Sequence, residues 1–172
     1  WDDRTEAALK DKLNRARQLA PATPVFIQLA HAGRKSSSAT PWDGGQLLAA
    51  DNGGWETMAP SAIPQLEGER LPHELSKTEL KQLIDAFVAS AKRADRVGVD
   101  GIELHGAHGY LLHQFLSPIA NQRTDEYGGS RANRARFAIE CLREMSQVIG
   151  AGRVGLRINP GNTYNDTSDE NS

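Results

Sequence analysis

The sequence is short of several things, and each shortage narrows what the chain can be. It has 172 residues but a single cysteine, Cys141, which excludes an internal disulfide and any multi-cysteine metal or iron–sulfur site within it. A reducing, cytoplasmic setting is therefore expected. No apolar run approaches the ~20 residues that a membrane-spanning helix needs, so no membrane partner is expected. No basic-then-apolar segment opens the chain, so no signal peptide is expected. The first residue is Trp1 rather than Met, and the expectation is that a natural N-terminus precedes it. Lys and Arg are not clustered with aromatics and the net charge is −2, so no nucleic-acid partner is expected. A hydrophobic fraction of 38% fits one globular unit, or a piece of a larger one, with enough chain to bury a core.

What is present is a repeated alternation. Leu9, Leu13 and Ala16 at helical spacing predict a helix over 3–20, which Pro21 and Pro24 end. Val25–His31, VFIQLAH, reads as a strand. A long irregular region rich in Gly, Ser and Pro follows over 32–75, a length unusual for a loop without a function. Ser76 and Glu79 form a capping box, and Leu80, Leu83, Ile84, Phe87, Val88 and Ala91 then mark one apolar stripe that Gly98 terminates. Gly101–His105 is a second strand. Ser130 caps a third helix, Arg131–Ile149, with Phe137, Cys141, Met145 and Val148 as its stripe. Arg153–Asn159 is a third strand, and the tail NDTSDENS reads as polar loop. Helices alternating with strands imply an α/β fold with parallel strands and right-handed helical crossovers.

Side chains alternate between the faces of a strand. Val25, Ile27 and Leu29 oppose Phe26, Gln28 and Ala30. Ile102 and Leu104 oppose Glu103 and His105. Val154, Leu156 and Ile158 oppose Gly155, Arg157 and Asn159. Each strand thus has one aliphatic face and one face carrying a polar group near its C-terminal end. An open sheet covered on both sides wants both faces apolar. A barrel with helices outside and a decorated interior fits better, and in a TIM barrel the chemistry sits at the C-terminal strand ends.

Gln28, His105, His108 and Arg157 all fall there. The segment HGAHGYLLHQF, His105–Phe115, holds three of the five histidines. His105 and His108 could ligate a metal with Glu103, His113 or Asp125 as third ligand, or could be structural. Neutral imidazoles can also donate hydrogen bonds to a carbonyl oxygen that gains charge. Tyr110 could pack, or could supply a proton to a carbanion-like carbon. His113 reads as structural and His73 as a solvated loop residue. Gln28, flanked by Ile27 and Leu29, needs a partner such as the hydrogen-bonding edge of a flavin or nucleobase. Arg157, inside an apolar run, must meet an anion or an electron-rich group, with an ion pair to Glu103 as the plain alternative.

QLAHAGRK (Gln28–Lys35), APSAI (Ala59–Ile63), HGAHGYLLHQFLSP with NQRTDEYGGS (His105–Ser130) and VGLRI (Val154–Ile158) together resemble the Old Yellow Enzyme family of FMN-dependent oxidoreductases, in particular its xenobiotic-reductase-like branch. The resemblance implies a TIM barrel with FMN at its C-terminal mouth. It implies that Gln28 and Arg157 bind the cofactor, Gln28 at the pyrimidine edge and Arg157 by the N1/O2 region. It implies that His105 and His108 hold the carbonyl oxygen of a small-molecule substrate and that Tyr110 donates a proton. The implied activity is that of an ene reductase: hydride passes from NAD(P)H through FMN to the C=C bond of an α,β-unsaturated carbonyl compound. Many members carry Asn where this chain has His108.

A complete barrel needs about 250 residues. The three strands here correspond by resemblance to the third, fourth and fifth. Residues 1–172 are therefore expected to be a partial (β/α)8 barrel, an incomplete FMN-binding domain without the family's flavin-phosphate site, and inactive alone. Other readings are a dienoyl-CoA reductase or amine dehydrogenase relative, a metal-dependent TIM-barrel hydrolase using His105 and His108, and an inactive half-barrel. Nothing in the sequence argues against a homo-oligomer.

Overall fold

The computed structural model describes residues 1–160. The polar tail NDTSDENS lies outside the described residues.

The first helix, α1 (Asp3–Leu19), starts where the Asp2 carboxylate accepts the Thr5 backbone N–H at 2.7 Å. Its stripe is narrower than expected, since only Leu13 is fully buried. Strand β1 (Phe26–Leu29) follows the two prolines. The region 32–75 is less irregular than the sequence suggests: it holds three single 3-10 turns and a small parallel sheet of β2 (Met58–Ala59) and β3 (His73–Glu74). Four residues of strand are too few for periodicity to reveal.

Helix α2 (Lys77–Val97) has the expected capping box. Ser76 Oγ accepts from the Glu79 N–H at 3.3 Å, and the Glu79 carboxylate accepts from the Ser76 N–H at 2.8 Å. Gly98 ends the helix with φ of 95°. Strand β4 (Gly101–Gly106) follows. A short helix, α3 (Leu111–Leu116), was not anticipated, because six nearly all-buried residues show no amphipathic period. Helix α4 (Arg131–Ile149) begins at the Ser130 cap and ends the last crossover before β5 (Val154–Ile158). Ile149 rather than Val148 completes its buried stripe.

The main sheet has the order β1-β4-β5, and both pairings are parallel. Its aliphatic face carries Ile102 and Leu104, which pack with Leu80, Ile84 and Phe87 of α2 and Phe137, Cys141 and Met145 of α4 in one core. Each such side chain stabilises by about 1.5–3 kcal/mol through removal from water. The other face is built in rungs set by register. Phe26 pairs with Gly101, and the exposed Phe26 ring lies over Gly101, where a Cβ would make it swing aside. Gln28 pairs with Glu103, which pairs with Gly155. His105 pairs with Arg157. Among the described residues the outer edges of β1 and β5 have no neighbouring strand, and no helix is long and apolar enough to cross a membrane.

His73 is not simply a solvated loop residue. It belongs to β3, and its Nε2 lies 2.8 Å from Glu79 Oε1, tying the small sheet to the cap of α2. Bonds from Ser76 and His73 hold the Glu79 carboxyl at about 2, below its ordinary 4.5, while Glu79 raises the His73 imidazole above its ordinary 6.5. The two shifts act in opposite senses. The Glu79 contribution is present above its unfolded value and is lost as pH falls toward 2. The His73 contribution is full below 6.5 and is lost as pH rises through the raised folded value. Replacing His73 by Gln should therefore lower the melting temperature more at about pH 5.5 than at about pH 8.5. Thermal melts at the two pH values check this, and equal losses would contradict it.

Candidate active site

The loop after β4 begins with a tight turn in which the Tyr110 N–H donates to the Ala107 carbonyl at 3.3 Å. Its central residues, His108 and Gly109, both have positive φ, 57° and 75°. For a histidine this left-handed backbone costs on the order of 1 kcal/mol or more and persists only where the surroundings enforce it. The enforcing contacts are on both sides of Gly109. Its N–H donates to His113 Nδ1 at 2.9 Å, and its carbonyl accepts from Gln114 Nε2 at 2.8 Å.

Gln114 is completely buried and also reaches the loop after β1. Its Nε2 donates to the Ala32 carbonyl at 3.3 Å, and its Oε1 accepts the Arg34 N–H at 3.3 Å. Gly33 sits between these contacts with φ of +62°, and a Cβ there would lie 2.4 Å from Gln114 Oε1. A second tie is the Leu111 N–H donating to the His31 carbonyl at 2.9 Å. Below them the buried Arg34 guanidinium donates to the carbonyls of Ile63 (3.3 Å) and Pro64 (2.9 Å). The buried Arg123 donates to those of Pro60 (2.9 Å) and Leu75 (2.6 Å) and to the Asp125 carboxylate, which it lowers below the usual range. Two guanidiniums thus fasten the region 32–75 from within. Gln114, Arg34 and Arg123 were not singled out from sequence. The one available signal was a polar residue inside an apolar segment, as Gln114 is in LLHQFL.

These ties gather three of the expected residues. The His105 ring lies 5.2 Å from the His108 ring and 5.5 Å from the Tyr110 ring, centroid to centroid. Tyr110 stands at the N-cap of α3 and lines a cleft of about 410 Å³ with Ala30, Ala32, Lys35 and Ser38. His105 is 5% exposed, and its imidazole titrates below its ordinary value because of burial, then His108 and Arg157; Glu103 opposes. It is therefore neutral at neutral pH. His105 Nδ1 is buried with no hydrogen-bond partner among the described residues. A buried polar atom in that state is completed by a ligand or by water.

Two expectations are corrected. Gln28 is not a buried amide in want of a partner: it is exposed, and its Nε2 donates to Glu103 Oε1 at 2.6 Å. Arg157 is not buried either, because β5 is at the edge of the described sheet, so no desolvation cost forces an anion on it. Its alternative partner, Glu103, is bonded to Gln28 instead. His113 is structural, as expected, since its Nδ1 holds Gly109. No group of three or more His, Cys, Asp or Glu is gathered for a metal among the described residues.

The polar face of the sheet and the loop after β4 thus carry an amide, a carboxylate, an orphaned imidazole nitrogen, a guanidinium and a phenol, and the phenol borders a cleft open to solvent. That donor set suits a planar heteroaromatic ring with polar edges. Residues 20–171 match the model of the NADH:flavin oxidoreductase / NADH oxidase family. The chain belongs to this family. It is similar to an NADPH dehydrogenase from Clostridium acetobutylicum, 47% identical over 124 residues, which are 72% of this chain and 32% of that protein. It is 51% identical over 100 residues to a probable flavin mononucleotide-dependent alkene reductase from Leishmania infantum, covering 58% of this chain and 27% of that one. The crystal structure of Old Yellow Enzyme from Pichia sp. superposes with a TM-score of 0.83 at 29% identity, over 97% of this chain and 43% of the other. The chain therefore spans about a third of the length of the curated relatives it matches. FMN and NAD(P)H are the cofactors that go with this membership.

Gln114→Met keeps the volume of the side chain but leaves two buried backbone groups, the Arg34 N–H and the Gly109 carbonyl, without partners, at about 1–3 kcal/mol each. The variant should lose at least about 2 kcal/mol of stability by denaturant unfolding. A loss below about 0.5 kcal/mol, the range of an inert surface change, would show that the turn and the β1 loop hold without it.

Proposed function

We propose that this chain is the catalytic-face segment of an FMN-dependent ene reductase, built as part of a TIM (β/α)8 barrel with residues 1–172 contributing the third to fifth strands. The observation that carries the reading is the ring cluster of His105, His108 and Tyr110 at the C-terminal end of β4, one rung above Gln28 and Glu103. Parallel strands and the likeness to a solved Old Yellow Enzyme support the barrel. The family supports the flavin.

In this proposal Gln28 binds the pyrimidine edge of FMN through the polar atoms that Glu103 does not take. Arg157 offsets negative charge on the reduced ring, for which an exposed guanidinium beside His105 is suitably placed. The chemistry that FMN supplies when bound is hydride transfer, taken from NAD(P)H and delivered to the β-carbon of an α,β-unsaturated carbonyl compound. The chain's own residues do the rest. His105, kept neutral by burial, and His108 donate hydrogen bonds to the substrate carbonyl oxygen and stabilise the charge that develops there. Tyr110 gives the proton to the α-carbon, so that the alkene gains one hydride and one proton. The cleft bordered by Ala30 and Tyr110 receives the substrate. A cytoplasmic setting accords with the reduced nicotinamide it consumes.

Two variants of the full-length protein test the assignment. Tyr110→Phe should slow alkene reduction by about 100-fold, the scale of a lost general acid, and leave reduction of the flavin by NADPH nearly unchanged. Rapid mixing under nitrogen separates the two half-reactions, and equal slowing of both would count against Tyr110. Arg157→Ala should make the bound flavin harder to reduce. Redox titration checks this, and an unchanged potential with full flavin content removes Arg157 from the cofactor site.

A further inference from the structure

The face that carries the site holds one charged side chain that the proposal above leaves without a task. Glu103 lies at the middle of β4, half-buried, in register with Gln28 on one side and Gly155 on the other. Its Oε1 accepts from Gln28 Nε2 at 2.6 Å, short even for a charge-assisted bond. On the β5 side the rung is open, since an added Cβ at Gly155 would meet nothing within 4 Å.

A carboxylate accepts and does not donate. It therefore settles which way the Gln28 amide faces: the NH2 end must point at Glu103, and Oε1 must point away. An amide held so has one acceptor and one remaining N–H to offer. The imide edge of a flavin asks for that pair, because its N3–H is a donor and the carbonyls beside it are acceptors. The reversed amide would set Oε1 against a negative charge.

We propose that Glu103 is a positioning residue for the flavin site, which acts through Gln28 by fixing the orientation and rotamer of its amide before the cofactor arrives. This rests on the FMN reading above. Glu103 touches neither flavin nor substrate in this scheme. Its contribution is preorganisation, which saves the ordering of a side chain with three rotatable bonds at the moment of binding.

The test is FMN affinity, read from quenching of flavin fluorescence by the full-length protein. Glu103→Ala should weaken binding about five-fold, the scale of one side chain left unordered. Glu103→Gln can still accept from Nε2 in one of its two orientations, so it should recover to within about two-fold of the original, although it carries no charge. In a Gln28→Ala background the Glu103→Ala change should have no further effect, because the group it acts through is gone. Glu103→Leu, which keeps the volume, makes the same comparison where the alanine variant does not fold. Affinity unchanged in Glu103→Ala, or losses that multiply in the double variant, would overturn the role of Glu103 alone. An unsubstituted protein that takes up no FMN would overturn the flavin reading and this inference with it.

Discussion

The site depends on the register of β4 between two parallel neighbours. Backbone ladders set Gln28 against Glu103 and His105 against Arg157, so that one polar side chain from each outer strand meets one from the central strand on a single face. A slip of one residue in either pairing would turn that strand's polar groups toward α2 and α4 and its aliphatic groups toward solvent. The helices prevent this, because Ile102 and Leu104 fill the core they enclose. Packing on one side of the sheet thus fixes chemistry on the other, although no residue belongs to both.

Above the sheet the constraint passes to buried polar groups. Two loops far apart in sequence meet at Gln114, and both its amide atoms are used in holding them. Such networks are stable when complete and costly when a member is lost. The left-handed backbone at His108 follows from this bracing: the turn holds because Gly109 is gripped from both ends. The backbone positions from which His108 and Tyr110 reach toward His105 are therefore fixed by this bracing.

The three main strands, the two long helices with their caps and the aliphatic faces were legible in the sequence, because periodicity and capping chemistry are local. So were His105, His108 and Tyr110 as a group, since they lie within one strand end and the turn after it. What escaped was non-local. The role of Gln114 depends on a partner 82 positions away, and those of Arg34 and Arg123 on carbonyls in an irregular segment. Nothing in a local pattern distinguishes a guanidinium on the surface from one folded over its own loop. The environments of Gln28 and Arg157 were misjudged for a related reason. Burial of a strand residue is decided by which strands flank it, and the flanks of β1 and β5 cannot be read from their own residues.

Cys141 sits on the buried face of α4 with no exposed surface, and burial pushes its thiol up to about 12. As the single sulfhydryl of the chain it offers a built-in gauge. A thiol reagent finds neither access nor thiolate while α4 stays seated on the sheet. The rate at which such a reagent consumes Cys141 therefore reports how often that helix lifts away, without any engineered label.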